Sequence, residues 1–228
     1  MKDIVIVGSG GFAREVRWLI EECNARQPVW NILGWISQDT PGTIISDLPV
    51  LGDDEWLIHC NKSIDVAMSV GSGILRKKIV SLYKNTKNIC FPNIISPTAV
   101  MSDRVKLGKG CIITARSIFT VDINVGDFFI CNLACTIGHD CRIGNYVTLF
   151  PGAHISGNVT LNDGVSIGTG ANIIQGITIG ENSFIGAGAA VVRDIPAFCT
   201  AVGVPARPLE KTGGGYENSY YSGSRSKP

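Results

Sequence analysis

Between Leu107 and Val191 every sixth residue is aliphatic, phenylalanine or cysteine. The series opens Leu107, Ile113, Phe119, Val125, Cys131, Ile137 and runs unbroken through Ile143, Ile155, Ile167 and Ile179 to Val191. A helix repeats at 3.6 residues and a hairpin sheet at two, so neither accounts for a period of six; a coil of short strands does. The place after each aliphatic is often glycine, as at Gly126, Gly138 and Gly144. The place three after it is rich in Gly, Asp and Asn, as at Gly110, Asp122, Asp140, Asn158, Gly170, Asn182 and Asp194. Those residues accept left-handed backbone, so each hexad reads as a short strand plus a corner. Three corners close a triangular coil. The fifteen hexads predict about five coils, a prism roughly 24 Å long at the ~4.8 Å strand spacing. Its strands are all parallel around one aliphatic stack. Its flat outer faces must be solvated or covered, so self-association is expected.

The eight cysteines form no CxxC and no zinc-like spacing. Cys111, Cys135 and Cys141 each stand two places before an inward aliphatic. Residues two apart on a strand share a face, so these three read as buried, reduced thiols.

The chain ahead of the repeat has a different grammar. Residues 3–7 read as a buried parallel strand, followed at once by Gly8-Ser9-Gly10-Gly11. Phe12, Val16, Leu19, Ile20 and Cys23 then recur at helical spacing. Glycines in such a strand-to-helix turn let backbone approach a phosphate, and the helix N-terminus offers free N–H groups; the alternative is a tight turn with no ligand. A second strand, 32–36, runs into Ser37-Gln38 with no acid in the place a dinucleotide's ribose would want one. The segment is also short for two mononucleotide halves. It reads as a half-Rossmann unit for one nucleotide. A further strand, 64–70, ends at Gly71, with Ser72 as N-cap of a helix whose inward face is Leu75, Ile79 and Leu82. Arg76 in its first turn either reaches a phosphate or sits on a solvated helix face. Residues 88–91 can add a short last strand, and Pro92 and Pro97 break the pattern. The expected division is residues 1–95, residues 96–210 and a Gly/Ser/Tyr-rich tail, 211–228, that breaks the hexad rule and reads as a mobile extension or strap.

A net charge of +1 with 17% charged residues argues against a nucleic-acid partner. No run of eighteen apolar residues exists, and the opening apolar stretch is too short for a signal core. The expectation is a soluble cytoplasmic protein with no membrane association.

Of the three histidines, His59, His139 and His154, His139 stands two places after Ile137. It should point outward at a corner, where an imidazole can act as general base. Asp140 is either an ordinary corner residue or a support for His139. His154 lies in Pro151-Gly152-Ala153-His154 and is a lesser candidate, equally readable as a plain surface histidine. A metal hydratase on such a prism would need three histidines with a close pair, so no metal is expected. A nucleotidyltransferase would want a basic residue inside the first glycine turn, and there is none.

The hexads, with Gly8-Ser9-Gly10-Gly11, Gly71-Ser72 and Arg76, Ile137-Gly138-His139-Asp140-Cys141-Arg142-Ile143-Gly144, Pro151-Gly152-Ala153-His154 and Gly203-Val204-Pro205-Ala206 in order, resemble the hexapeptide-repeat sugar O-acyltransferases. More closely they resemble the sialic-acid-O-acetyltransferase-like family, which includes the nucleotide-aminosugar N-acetyltransferases. The resemblance covers about residues 3–209. It implies a small Rossmann-like α/β domain followed by a left-handed parallel β-helix, a homotrimer with sites between subunits, and acetyl-CoA as co-substrate. The implied reaction is acetyl transfer to the amine of a nucleotide-linked sugar, first a UDP-4-amino-sugar, for surface glycan synthesis. The alternatives are a sugar O-acetyltransferase, transfer of another small acyl group, or a non-catalytic nucleotide-binding scaffold.

By the same resemblance His139 is the base, Asp140 its support, and Asn132 a neighbour of the reacting groups, although Asn132 also reads as a corner residue. Gly157 meets the thioester region. Thr169 and Ala187 line the CoA arm, Thr148 takes the place of a CoA-contacting histidine, and His154 touches CoA or substrate. Ser9, Gly10, Gly11, Ser37, Gly71, Ser72 and Arg76 hold the nucleotide sugar. Relatives commonly carry acids where this chain has Ser37-Gln38.

Overall fold

The computed structural model describes residues 1–209; the extension assigned to residues 211–228 lies outside the described residues. The N-terminal part is built from β1 (Lys2–Val7), α1 (Gly11–Arg26), β2 (Trp30–Ile36), β3 (Ile44–Ile45), β4 (Leu48–Gly52), α2 (Asp54–Ile58), β5 (Ile64–Met68), α3 (Gly73–Leu82) and β6 (Ile89–Cys90). Its sheet has the order β3-β4-β2-β1-β5-β6. The pairs are parallel except β3–β4. The chain passes from β1 to β2 on one side and later returns to β5 on the other. The carboxyl end of β1 is therefore the switch point where such sheets bind ligands. Ile4, Val5, Ile6 and Val7 are buried because both faces of β1 are covered. Helix α1 buries Ala13, Val16, Leu19 and Ile20, the face its periodicity predicts. The short β3, β4 and α2 were not foreseen; α2 is capped by the Asp53 carboxylate, which accepts from the Glu55 and Trp56 N–H groups.

Helix α3 turns the other way from its apolar pattern. Leu75 and Leu82 are exposed, and Gly73 and Arg76 face inward. The helix docks by its N-terminus on a corner of the prism. A Cβ at Gly73 would lie 2.3 Å from the Tyr146 carbonyl oxygen. An approach that close leaves a cluster of backbone carbonyls to satisfy, and the Arg76 guanidinium satisfies them.

From Ile94 onward the chain winds into a parallel prism. Its first face carries rungs from Ile94–Ile95 to Thr200–Val202, its second from Val100–Met101 to Ala190–Val191, and its third from Val105–Leu107 to Thr178–Ile179. Successive rungs on a face pair in parallel register eighteen residues apart, as in Thr136↔His154 and Ile137↔Ile155. The three sheets have eight, six and five strands, with one antiparallel pair closing the first, at Ala201↔Pro208 and Val202↔Arg207. The prism is longer than five coils, because rungs at Ile94–Ile95 and Thr200–Val202 extend it beyond the strict hexads at both ends. The sixth-position aliphatics and the thiols of Cys111, Cys135 and Cys141 form one buried stack, as the spacing requires.

Ten of the Gly, Asp and Asn corners take left-handed backbone, Asp140 with φ 61° among them. Asp194 does not; its carboxylate accepts the Thr178 N–H at 2.8 Å. Arg116, Phe128, Ala134 and Tyr146 also turn left-handed corners, at a cost of about 1–2 kcal/mol each. The Phe128 and Tyr146 rings stack with centroids 5.4 Å apart. Such a pair contributes about 0.5–1.5 kcal/mol beyond its burial, which offsets much of that cost.

The N-terminal part sits on the first face. Ile94, Ile112 and Ile130, which point outward from the prism, join Ile4, Ile6, Ala13, Val16 and Leu19 in a single apolar cluster. One of the flat faces is thus covered from within the chain.

Candidate active site

His139 and Asp140 follow the Thr136–Ile137 rung, at the corner between the second and third faces. Both side chains are about half exposed. His139 Nδ1 lies 2.8 Å from Asp140 Oδ2. Because a carboxylate only accepts, Nδ1 is the donor in this pair and Nε2 is the nitrogen turned away from it. Gly157, one coil on at the same corner, lies under the imidazole ring. A Cβ there would fall 2.5 Å from both Cε1 and Nε2 of His139. His139, Asp140 and Gly157 are therefore one constellation: an imidazole oriented by a carboxylate and resting on bare backbone.

Thr169 and Ala187 are exposed at a different corner, between the first and second faces, one coil apart. Asn132 belongs to that corner too, two coils below Thr169, where its Oδ1 accepts the Leu133 N–H at 2.7 Å. Thr169, Ala187 and Asn132 on the one hand and His139 on the other thus stand on separate edges of one prism. The His139 edge lies opposite the first face, the one the N-terminal part covers. His154 is on the second face, its Nδ1 2.9 Å from Thr136 Oγ1.

In the N-terminal part, Val7, Gly8, Ser9, Ile36, Ser37, Gln38, Asp39, Asp54, Val70 and Ile79 line a cavity of about 330 Å³ at the carboxyl ends of β1 and β2. Gly10 is the N-cap of α1 and makes no side-chain cap bond. An added Cβ at Gly10 or Gly11 would meet nothing within 4 Å, so the helix N-terminus is open to a ligand. Asp39, which sequence reasoning missed, ties this pocket together. Its Oδ2 accepts from Ser9 Oγ at 2.6 Å and Ser37 Oγ at 2.9 Å. The Ser9 bond first, then the Ser37 bond, holds its carboxylate below the ordinary range. A lowered value means that the bridge is present above the ordinary carboxylate pKa and breaks only as pH falls through the lowered one. The acid sought directly after β2 stands one place beyond Gln38. That removes one of the two arguments against a dinucleotide; the shortness of the unit remains. Asp54 also lines the pocket and accepts from the Tyr83 phenol. Burial, then Asp54, pushes that phenol far above its ordinary range.

Two expected ligand contacts fall elsewhere. Arg76 is fully buried. Its Nε donates to Phe128 O at 2.8 Å, Nη1 to Val70 O at 2.6 Å and Gly71 O at 3.2 Å, and Nη2 to Tyr146 O, Val147 O and Thr148 Oγ1 at 2.9, 3.1 and 3.1 Å. It therefore neither reaches a phosphate nor sits on a solvated face. Thr148 is 2% exposed, and its hydroxyl donates to Gly71 O at 2.8 Å. It is spoken for, under the N-terminal part, and closed off from a ligand at the surface. Gly71 and Ser72 stand beside the cavity rather than in its wall; the Ser72 hydroxyl caps α3 by accepting the Leu75 N–H at 3.3 Å.

Among the described residues no group of three His, Cys, Asp or Glu is placed to hold a metal. No described helix is long and apolar enough to cross a membrane.

Residues 3–82 match the PglD N-terminal domain family. Over 65 residues, 28% of this chain, the sequence is 38% identical to a GDP-perosamine N-acetyltransferase from Escherichia coli O157:H7, and the match spans 29% of that relative. Among solved structures, PerB from Caulobacter crescentus, in complex with CoA and GDP-perosamine, is 31% identical with a TM-score of 0.84, over 92% of this chain and 98% of that one. The acetyltransferase domain of PglB from Neisseria gonorrhoeae FA1090, in complex with acetyl coenzyme A, is 30% identical with a TM-score of 0.82, over 91% and 99%.

Proposed function

This chain belongs to the nucleotide-aminosugar N-acetyltransferase family, and we propose that it moves the acetyl group of acetyl-CoA to the amine of a nucleotide-linked aminosugar. The observation that carries this reading is the His139–Asp140 pair at 2.8 Å, which turns Nε2 away from the carboxylate at an exposed edge. The sugar amine attacks the thioester carbonyl carbon while His139 Nε2 takes its proton. The carbonyl oxygen becomes an oxyanion, for which backbone N–H groups such as that of Gly157 are the natural donors. The intermediate collapses with cleavage of the C–S bond, and the imidazolium returns the proton to the leaving thiolate. Asp140 holds the tautomer and steadies the imidazolium. Asn132, Thr169, Ala187 and His154 are assigned to the acyl donor or the reacting groups, and Ser9, Gly10, Gly11, Ser37 and Asp39 to the nucleotide.

The separation of the edges supports a homotrimer with sites between subunits. One copy's nucleotide pocket and Thr169–Ala187 edge then meet the next copy's His139. His139→Ala and Ala187→Trp, each inactive alone, are expected to recover activity when co-assembled in equal amounts, to about a quarter of the sites if subunits mix at random. No recovery would place the whole site on one chain.

Two nucleotides compete for the pocket. Two of the three named relatives have GDP-perosamine as substrate or as bound ligand, so a GDP-linked aminosugar leads, ahead of the UDP-4-amino-sugar the sequence suggested. O-acetylation, the reaction of the sialic-acid-type enzymes, is the second reading of the same site. The test is release of free CoA thiol from acetyl-CoA against GDP-, UDP- and dTDP-linked aminosugars. Turnover with at least one of them is expected, and none with any would sink the reading. A role in surface glycan synthesis in the cytoplasm follows only if the accepted sugar is a glycan precursor.

A further inference from the structure

We propose that Arg76 and Thr148 are positioning residues, a clamp that sets the reach from the nucleotide pocket to the acetyl-transfer edge. The inference rests on the reading above and deepens it. Helix α3 exposes Leu75 and Leu82 and buries Arg76, the reverse of what burial of apolar surface alone would choose. Such an inversion persists when the buried cation satisfies many acceptors at once. Those acceptors come from two bodies. Val70 O and Gly71 O belong to the turn between β5 and α3, while Phe128 O, Tyr146 O, Val147 O and Thr148 Oγ1 belong to the prism. Thr148 completes the ring by donating to Gly71 O. Gly71 O thus takes bonds from both members, and the turn beside the nucleotide cavity cannot shift without breaking them.

The level of the clamp matters. Thr148 follows His139 by half a turn of the prism, past the third face and onto the first, opposite the His139 edge. Of the apolar anchors, Ile94 and Ile112 lie on earlier coils, and Ile130 is the register partner of Thr148 one coil before it. An apolar contact tolerates sliding, whereas directional bonds do not. The clamp therefore fixes the nucleotide domain at the height of the base, and through the packing of prisms fixes it relative to the next copy's His139.

The test uses Thr148→Val, which keeps the shape and loses both bonds, and Thr148→Ser, which keeps both. Arg76→Met is the harsher companion and risks loss of the fold. For Thr148→Val we expect kcat with the nucleotide aminosugar to fall at least about tenfold, as slight misplacement of reactants does. The Kd for free nucleotide and for CoA should stay within about twofold of wild type, and Thr148→Ser should be close to wild type. Amide hydrogen exchange over residues 71–75 should quicken in Thr148→Val while that of residues 136–144 does not; this readout needs no substrate. Unchanged exchange at residues 71–75, an unchanged kcat, or loss of both binding affinities together with Tm would each overturn the clamp. If wild type turns over no aminosugar but the exchange changes as expected, the functional reading fails and the clamp stands.

Discussion

Replacing His139 by alanine is expected to lower kcat for acetyl transfer by about 10²–10⁴ and to leave the fold alone. The range is what a positioned general base contributes, equivalent to about 2.7–5.4 kcal/mol of barrier. The fold should be indifferent because the side chain is half exposed, and its hydrogen bond is to an equally exposed neighbour. Exposed pairs contribute about 0–1 kcal/mol to stability. Thermal unfolding and the Kd for CoA separate the two effects: both should match wild type while turnover collapses. Asp140→Asn should fall between, since it keeps a partner for Nδ1 but removes the charge that steadies the imidazolium.

Gly157→Ala should be nearly as costly, although alanine is the smallest change available. The added methyl would sit 2.5 Å from Cε1 and Nε2 of His139. The backbone at Gly157 is not left-handed, so the substitution carries no conformational strain of its own. What gives way is the imidazole, the free end of an exposed side chain, and it does so at little cost to the fold. The base then moves by about 1 Å, which can cost about 10² in rate. Kinetics of Gly157→Ala at saturating acetyl-CoA check this: kcat should fall while Tm changes by only a degree or two. A Gly157→Ala enzyme with full kcat would show that the ring resting on Gly157 is not the catalytic arrangement.

The scaffold was readable because its determinants are local and periodic. Ile137, Ile143 and Leu149 announce the inward stack, while the close coil-to-coil approach at Gly138 and Gly144 shows only in the fold. His139 stands at a corner two places after the inward Ile137, and that position pointed it outward. Phe128 and Tyr146 turn left-handed corners because their rings stack between coils, a relation eighteen residues long that single-residue preferences do not carry. Arg76 misled for the same reason: helical periodicity marks Leu75 and Leu82 as the core face, but the carbonyls of Phe128, Tyr146 and Val147 exist only once the prism has formed. Thr148 was read by its sequence position and turned out to lie beneath the N-terminal part. Asp39 was passed over because the acid was sought directly after β2, whereas the two serines that bind it, Ser9 and Ser37, hold it one place beyond Gln38.

The direct test of the central claim, that His139 drives acetylation of a sugar amine, is the chemistry of the product bond. Wild-type protein is incubated with acetyl-CoA and the nucleotide aminosugar that releases most thiol, and the recovered sugar is treated with hydroxylamine. The account predicts one added acetyl group that survives as an amide, formed at a rate that drops by two or more orders of magnitude in His139→Ala. A hydroxylamine-labile ester, or an amide formed equally fast without His139, would contradict it.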